Sequence, residues 1–194
     1  LNTNFCTVIL GATAENNYNL IYTIASGMPM GMGMLIVYPL CKKFTIRKTT
    51  MAFSIISILG CAMGLVVKNS FWPGVAANFL FNMGTLPTIY ILNALIDASK
   101  DEVEYKHGFR PEGIVSVAII MCVLNLFTGM FAGVYETGLN LSGYQPALGA
   151  AQPAGVHNWL YFIRYVVPIV EYTLMIVILY FMNLEEKLPA MQKA

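Results

Sequence analysis

Five stretches of the chain, Asn17–Cys41, Ile46–Val67, Pro73–Ile96, Pro111–Tyr135 and His157–Asn183, are each apolar for more than twenty residues and joined mostly by short polar links. About 20 apolar residues in helical form bridge the hydrocarbon layer of a bilayer. Inside that layer every backbone N–H and C=O must be bonded within the protein, so runs of this length fold as helices. Leu1–Ala14 is also apolar but too short to cross alone, and reads as the end of a further span. Charged residues make up 11% of the chain and hydrophobic ones 57%, against about 25% charged in water-soluble domains. The sequence therefore predicts an all-α membrane protein with five full transmembrane helices and a partial N-terminal one. The net charge of +1 offers no basic surface for nucleic acid. Cys6, Cys41, Cys61 and Cys122 are scattered without a Cys-x-x-Cys pair, which signals neither a disulfide framework nor a metal centre.

Lys and Arg placement sets the expected orientation, because cytoplasmic loops carry the excess of these residues. Lys42, Lys43, Arg47 and Lys48 cluster between the first two full spans, Lys100, Lys106 and Arg110 between the third and fourth, and Lys187 and Lys193 in the tail. These are alternate connections and so share one side, while the other side has Lys68 alone, Arg164 lying within the last span. This predicts a multi-pass protein of the cell membrane with the C-terminus and the Lys/Arg-rich loops cytoplasmic. Trp72 and Trp159 then fall at the outer interface, where indole rings favour the headgroup layer. The Gly- and Pro-rich stretch from Glu136 to Val156 has no apolar period and reads as an irregular, mobile outer loop.

Polar groups inside the spans are the next signal. Asn78, Asn82, Thr85 and Asn93 fall on one helical face, and Pro87 breaks the hydrogen-bond ladder among them. A polar stripe beside a broken helix suits the lining of a transport cavity; amides that join neighbouring helices are the other reading. Asn125 and Thr128 fit helix adhesion. Arg164 and Glu171 lie two turns apart around Pro168. An ionised group at that depth costs about 2.5–3.5 kcal/mol or more without a partner or water. Glu171 therefore reads as a proton or cation site, or as a structural partner to Arg164 or another helix. Met28, Met30, Met32 and Met34 pair by helical spacing and suit adaptable packing, with Gly27-x-x-x-Gly31 allowing close helix approach; thioether capture of Cu(I) is the sharper alternative. No nucleophile–base pair, phosphate loop or metal cluster is present to suggest an enzyme.

Of eleven Lys/Arg and ten Asp/Glu residues, eight fall in DASKDEVEYKHGFRPEG, Asp97–Gly113. Hydration explains charge there, but not five acids interleaved with three bases. Asp97, Asp101, Glu104, Tyr105, Lys106, Gly108, Arg110, Glu112 and Gly113 resemble the signature D-x-x-x-D-Y-G-E-(Y/W)-K-x-G-x-R-x-E-G of the glycoside–pentoside–hexuronide:cation symporters, the melibiose permease family of the major facilitator superfamily. In that family the signature connects the tenth and eleventh helices. Asn82, Gly84 and Thr85 resemble the middle of the family's tenth helix, and Arg164 with Pro168 an Arg and Pro of its twelfth. Glu102 and Val103 replace the signature's Tyr and Gly, and Leu124 stands where melibiose permease has a lysine.

The resemblance implies the C-terminal six-helix half of a major facilitator fold. It implies secondary active transport of a sugar or glycoside by alternating access, coupled to a proton or sodium ion bound chiefly by the missing N-terminal half. Lipid, that other half and the small-molecule solute are the implied partners. On this reading Asn82, Thr85, Tyr90, Asn93 and Asn125 are cavity candidates, Asp97, Asp101, Glu104, Arg110 and Glu112 are cytoplasmic gate candidates, and Arg164 and Glu171 are intramembrane charges. A non-transporting membrane scaffold or partner-binding subunit on the same fold is the alternative.

Overall fold

The structure, a computed structural model, describes residues 2–13, 15–67, 70–110 and 113–181, apart from the side chains at 2, 34, 88–96, 98–99, 114–116 and 119. The described residues are mostly helical and include no strand. Helix α1 covers Asn2–Val8, α2 Tyr18–Phe44, α3 Ile46–Val67, α4 Phe71–His107 and α5 Gly113–Leu141. Helix α6 covers Ala154–Phe181, α-helical except for a π turn at Phe162–Val166. Among the described residues three helices are long and apolar enough to cross a membrane, Ile46–Val67, Ile120–Leu141 and Ala154–Phe181. A fourth is α2, which bends by 48° between Tyr18–Gly33 and Leu35–Phe44. Pro29 and Pro39 both interrupt its hydrogen-bond ladder. The remaining expected span lies in α4. The expected end of the last span at Asn183, and the tail with Lys187 and Lys193, lie outside the described residues.

The bundle is organised around α3 and α4. Along α3, Thr49, Phe53, Ser57, Gly60 and Gly64 recur three or four residues apart and are all buried. With so little side chain on that stripe the two helices come almost into backbone contact. A Cβ added at Gly60 would lie 2.8 Å from the Phe81 nitrogen and 2.9 Å from the Ala77 oxygen, and one at Gly84 would lie 2.7 Å from the Phe53 oxygen. Small residues serve this purpose in membranes, where association rests on van der Waals contact rather than on the hydrophobic effect. Helix α2 packs on α4, and α6 on α3. The larger core gathers Phe5, Cys6, Tyr22, Cys61, Leu160 and Tyr165 near the Trp159 end of the bundle, and a smaller one gathers Val37, Phe53 and Leu86.

Helix α1 is short but anchored: Phe5, Cys6, Val8, Ile9 and Leu10 are buried in the larger core. It ends where Gly11 adopts φ +63° and the Ala12 N–H donates back to the Cys6 carbonyl at 2.9 Å. The Gly27-x-x-x-Gly31 stripe of α2 does not form the expected close approach: a Cβ at either position would meet nothing within 4 Å. Met28, Met30 and Met32 of that segment are exposed rather than packed in a core.

Two further elements depart from the sequence reading. Helix α4 continues about ten residues past its expected end near Asp97. No Pro or Gly follows Pro87 until Gly108, and Lys100–Asp97 and Lys106–Glu102 pairs at helical spacing support the extension, with N–O distances of 3.0 and 2.6 Å. Gly108 then closes the helix in the left-handed conformation, φ +65°, its N–H bonded to Glu104 O at 2.8 Å. At about 1.5 Å per residue a helix of this length exceeds the ~30 Å hydrocarbon layer, so its charged end projects from the apolar part.

The expected irregular loop, Glu136–Val156, is also more regular than its composition suggests. Helix α5 runs through Glu136 to Leu141, and Pro146–Leu148 form a 3₁₀ turn. Gln152, buried, accepts from the Gln145 N–H at 3.0 Å and donates to the Gln145 and Gly149 carbonyls at 2.6 and 3.2 Å. One side chain thus ties the two ends of the turn together, beside the backbone bonds from Leu148 N–H to Gln145 O at 3.1 Å and from Ala151 N–H to Leu148 O at 2.9 Å. Gln152→Ala is expected to speed amide exchange at Gln145 roughly fivefold, the equivalent of one hydrogen bond of about 1 kcal/mol. Hydrogen-exchange mass spectrometry on peptides spanning 142–153 measures this; unchanged exchange would show that the turn is held by something else.

A polar seam and a charged helix end

The candidate site begins with Arg164. The sequence spacing aligns it with Glu171 along a regular helix, but the π turn at Phe162–Val166 adds a residue to that turn and alters the register. Arg164 turns inward and is buried, whereas Glu171 is exposed. The expected partnership between them does not form. Pro168, which has no N–H to offer the preceding turn, follows directly and favours such a disruption.

Arg164 reaches across the bundle instead. Its Nη2 donates to the Tyr22 hydroxyl at 3.1 Å and to Asn78 Oδ1. Its guanidinium carbon lies 5.0 Å from the Phe81 ring centre, 5.8 Å from Tyr22 and 5.9 Å from Phe5. Aromatic faces attract a cation at such distances. Among the described residues no carboxylate pairs with it, so a buried charge is held by one amide, one phenol and three rings. Arg164 therefore ties α1, α2, α4 and α6 together.

From Arg164 the polar contacts run along α4. Asn78, almost fully buried, donates through Nδ2 to Ser26 Oγ. Ser26 donates its own proton to the Tyr22 carbonyl at 2.8 Å. Asn82 Nδ2 donates to Asn78 O at 2.7 Å and to Asn78 Oδ1 at 3.0 Å. Thr85 Oγ1 donates to Asn82 O at 2.8 Å. The structure thus brings together Asn82 and Thr85 of the expected set, and adds Tyr22, Ser26 and Asn78. Tyr90 and Asn93 lie on α4, but their side chains fall outside the described residues. Asn125 is not part of the seam: it is exposed on α5, whose main packing is against the start of α6 near Trp159.

That junction forms a separate cleft of about 650 Å³, lined by Met130, Gly133, Val134, Leu141 and Trp159 among others. Its lining is largely apolar. One of its hydroxyls, Ser142, is already donated to Gly138 O at 2.6 Å. The cleft therefore offers little for a polyhydroxylated solute.

The second cluster is the charged end of α4. Arg110, just past the helix, folds back so that Nη2 lies 2.9 Å from Asp101 Oδ1 and Nη1 3.1 Å from Glu104 Oε2. Asp97 is answered by Lys100 rather than by Arg110. Glu112 lies outside the described residues. The expected gate residues Asp101, Glu104 and Arg110 are therefore joined within one helix end, and the cluster is largely solvent-exposed.

Tyr22 and Ser26 were not signalled by sequence, since a lone Tyr or Ser in an apolar run is unremarkable. Asn78 was visible as part of the polar stripe. A model of the MFS/sugar transport protein family matches residues 3–186. No curated protein and no solved structure matches the chain.

Proposed function

Since the chain belongs to the MFS/sugar transport protein family, we propose that it moves a sugar or glycoside across the membrane by alternating access, as a cation-coupled symporter to which this chain contributes one six-helix half. The observation that carries this reading is the polar seam on α4. Asn82 and Thr85, each partly accessible, continue a hydrogen-bonded line from a buried arginine through helices otherwise built from apolar side chains. Hydroxyl-rich solutes are recognised by such fixed amides. The Asp97–Gly113 signature supports the glycoside–pentoside–hexuronide:cation branch of the family, with a proton or sodium ion as the coupling ion. On the same reading the membrane is the cell membrane, with the Arg110 end of α4 in the cytoplasm. Glu171, exposed on α6, then meets protein or water rather than lipid.

Uptake of a panel of labelled glycosides into vesicles carrying the intact protein tests the proposal. Accumulation of at least one member under an imposed sodium or proton gradient is expected. If every member crosses no faster than in protein-free vesicles, the transport reading is wrong.

The Arg110 cluster suits a gate because its pairs are weak enough to exchange partners. Exposed ion pairs contribute roughly 0–1 kcal/mol each. Arg110 holds Asp101 and Glu104 within one helix end, and in the outward-facing state the same groups would reach the other half. Arg110→Gln is expected to lower uptake several-fold with normal membrane expression. It should also raise labelling of a cytoplasm-side cavity cysteine by an impermeant reagent. Parent-like uptake and labelling together would reduce the cluster to a hydrated helix end.

A further inference from the structure

We propose that Arg164, acting through Asn78, is a positioning residue that locks the Asn82 carboxamide with its oxygen turned outward, so that Asn82 meets a solute as a hydrogen-bond acceptor only. This rests on the transport reading above for the solute's identity as a sugar. The orientation itself follows from donor and acceptor chemistry alone.

Arginine only donates. The Asn78 atom facing Arg164 is therefore its oxygen, and Nδ2 must point to the other neighbour, Ser26 Oγ. Ser26 can accept there because its own proton is committed to the Tyr22 carbonyl, 2.8 Å away. With Asn78 fixed, the side chain of Asn82 faces two acceptors, Asn78 O at 2.7 Å and Asn78 Oδ1 at 3.0 Å. Only an NH₂ group fits against both, and it uses both of its protons. A flipped Asn82 would set oxygen against two oxygens. Asn82 Oδ1 is thereby left without a protein donor among the described residues, on a half-buried side chain. Such an amide distinguishes a hydroxyl, which donates, from an ether, a fluorine or a hydrogen at the same sugar position, which do not. An arginine charge at the head of the line makes the arrangement firmer, because it favours Asn78 oxygen over nitrogen more strongly than a neutral donor would.

Two measurements test this on the intact protein. The first needs no sugar. With ¹⁵N-labelled asparagine, the Asn82 side-chain NH₂ signal, identified by its loss in Asn82→Ala, is expected to exchange slowly with water. Arg164→Gln and Asn78→Ala should accelerate that exchange at least tenfold. Asn78→Asp retains an acceptor for both Arg164 and Asn82 and should keep it slow. Equal exchange in the parent and Arg164→Gln would overturn the positioning role. So would loss of protection in Asn78→Asp equal to that in Asn78→Ala.

The second measures binding of methyl hexopyranosides and of their monodeoxy, monodeoxyfluoro and monomethyl ether forms. The parent is expected to prefer the free hydroxyl at one position by about tenfold or more, in line with leaving one buried acceptor unmet. Asn82→Ala should abolish that preference and Arg164→Gln should reduce it to under threefold. Asn78→Ala should lose the preference and Asn78→Asp should keep it, a split that a merely structural defect would not give. Retention of the full preference in Asn82→Ala overturns the acceptor assignment. If no hexopyranoside binds the parent at all, the sugar reading fails and the solute role of Asn82 with it, while the exchange result still decides whether Arg164 holds the amide.

Discussion

Gly84→Leu is expected to shift the folded-to-unfolded ratio by a hundredfold or more, which corresponds to about 3 kcal/mol. Helix propensity points the other way, since leucine is favoured over glycine inside a helix by under about 1 kcal/mol. Packing decides the sign. The first carbon of any side chain at Gly84 meets Ser57 and lies 2.7 Å from the Phe53 carbonyl oxygen. A flexible side chain can move away from an intruder, but a backbone carbonyl inside α3 cannot move without separating the two helices. Over-packing typically costs 1–3 kcal/mol, and a clash with backbone belongs at the upper end. Thermal melts of the purified protein in detergent, followed by size-exclusion fluorescence, measure the loss. Gly27→Ala is the matched control. It meets open space and should be neutral or stabilising by up to about 1 kcal/mol. If both variants melt alike, the α3–α4 seam is not what holds this fold.

That seam also shows what a membrane sequence discloses and what it hides. The existence and approximate extent of the apolar helices were legible because hydrocarbon imposes a length and forbids unpaired backbone. Which faces meet was not legible. In water the buried face of a helix is the apolar one, but in lipid every face is largely apolar, and the contact face is marked by small side chains and a few polar ones. The sequence drew attention to Gly27 and Gly31, which meet nothing, and the stripe that does pack runs through Ser57, Gly60 and Gly64. The end of α4 was misplaced for a related reason. A run of charge suggests a loop, although Asp97, Lys100, Glu102 and Lys106 are spaced to stabilise a helix in water. The inward turn of Arg164 could not be obtained from regular helical spacing, because a π turn alters the register. Asn125, one of the expected cavity residues, is exposed on α5, which joins the bundle mainly at its Trp159 end.

The Arg164 site gives the second large effect. Asn78→Leu removes the amide oxygen that Arg164 and Asn82 share and the donor to Ser26. Hydrogen bonds to charged groups contribute about 1.5–3 kcal/mol, and a buried polar group left unmet costs about 1–3 kcal/mol. Stripping a partner from a buried charge has cost 3–5 kcal/mol in other settings. The Tyr22 hydroxyl and the rings of Phe5, Tyr22 and Phe81 remain. Aromatic faces give a cation about 0.5–2 kcal/mol, which softens the loss without replacing a directed acceptor. A net loss of about 3 kcal/mol is expected for the single variant. The informative comparison is with Arg164→Met added to it. Methionine fills an irregular space without a charge to satisfy, so the double variant should be more stable than Asn78→Leu alone by at least about 1 kcal/mol. This is the non-additivity expected of residues in one network. A double-mutant cycle on detergent melts measures it. If the two losses simply add, Arg164 draws nothing from Asn78, and the hydrogen-bonded line from the arginine to Asn82 has no energetic meaning.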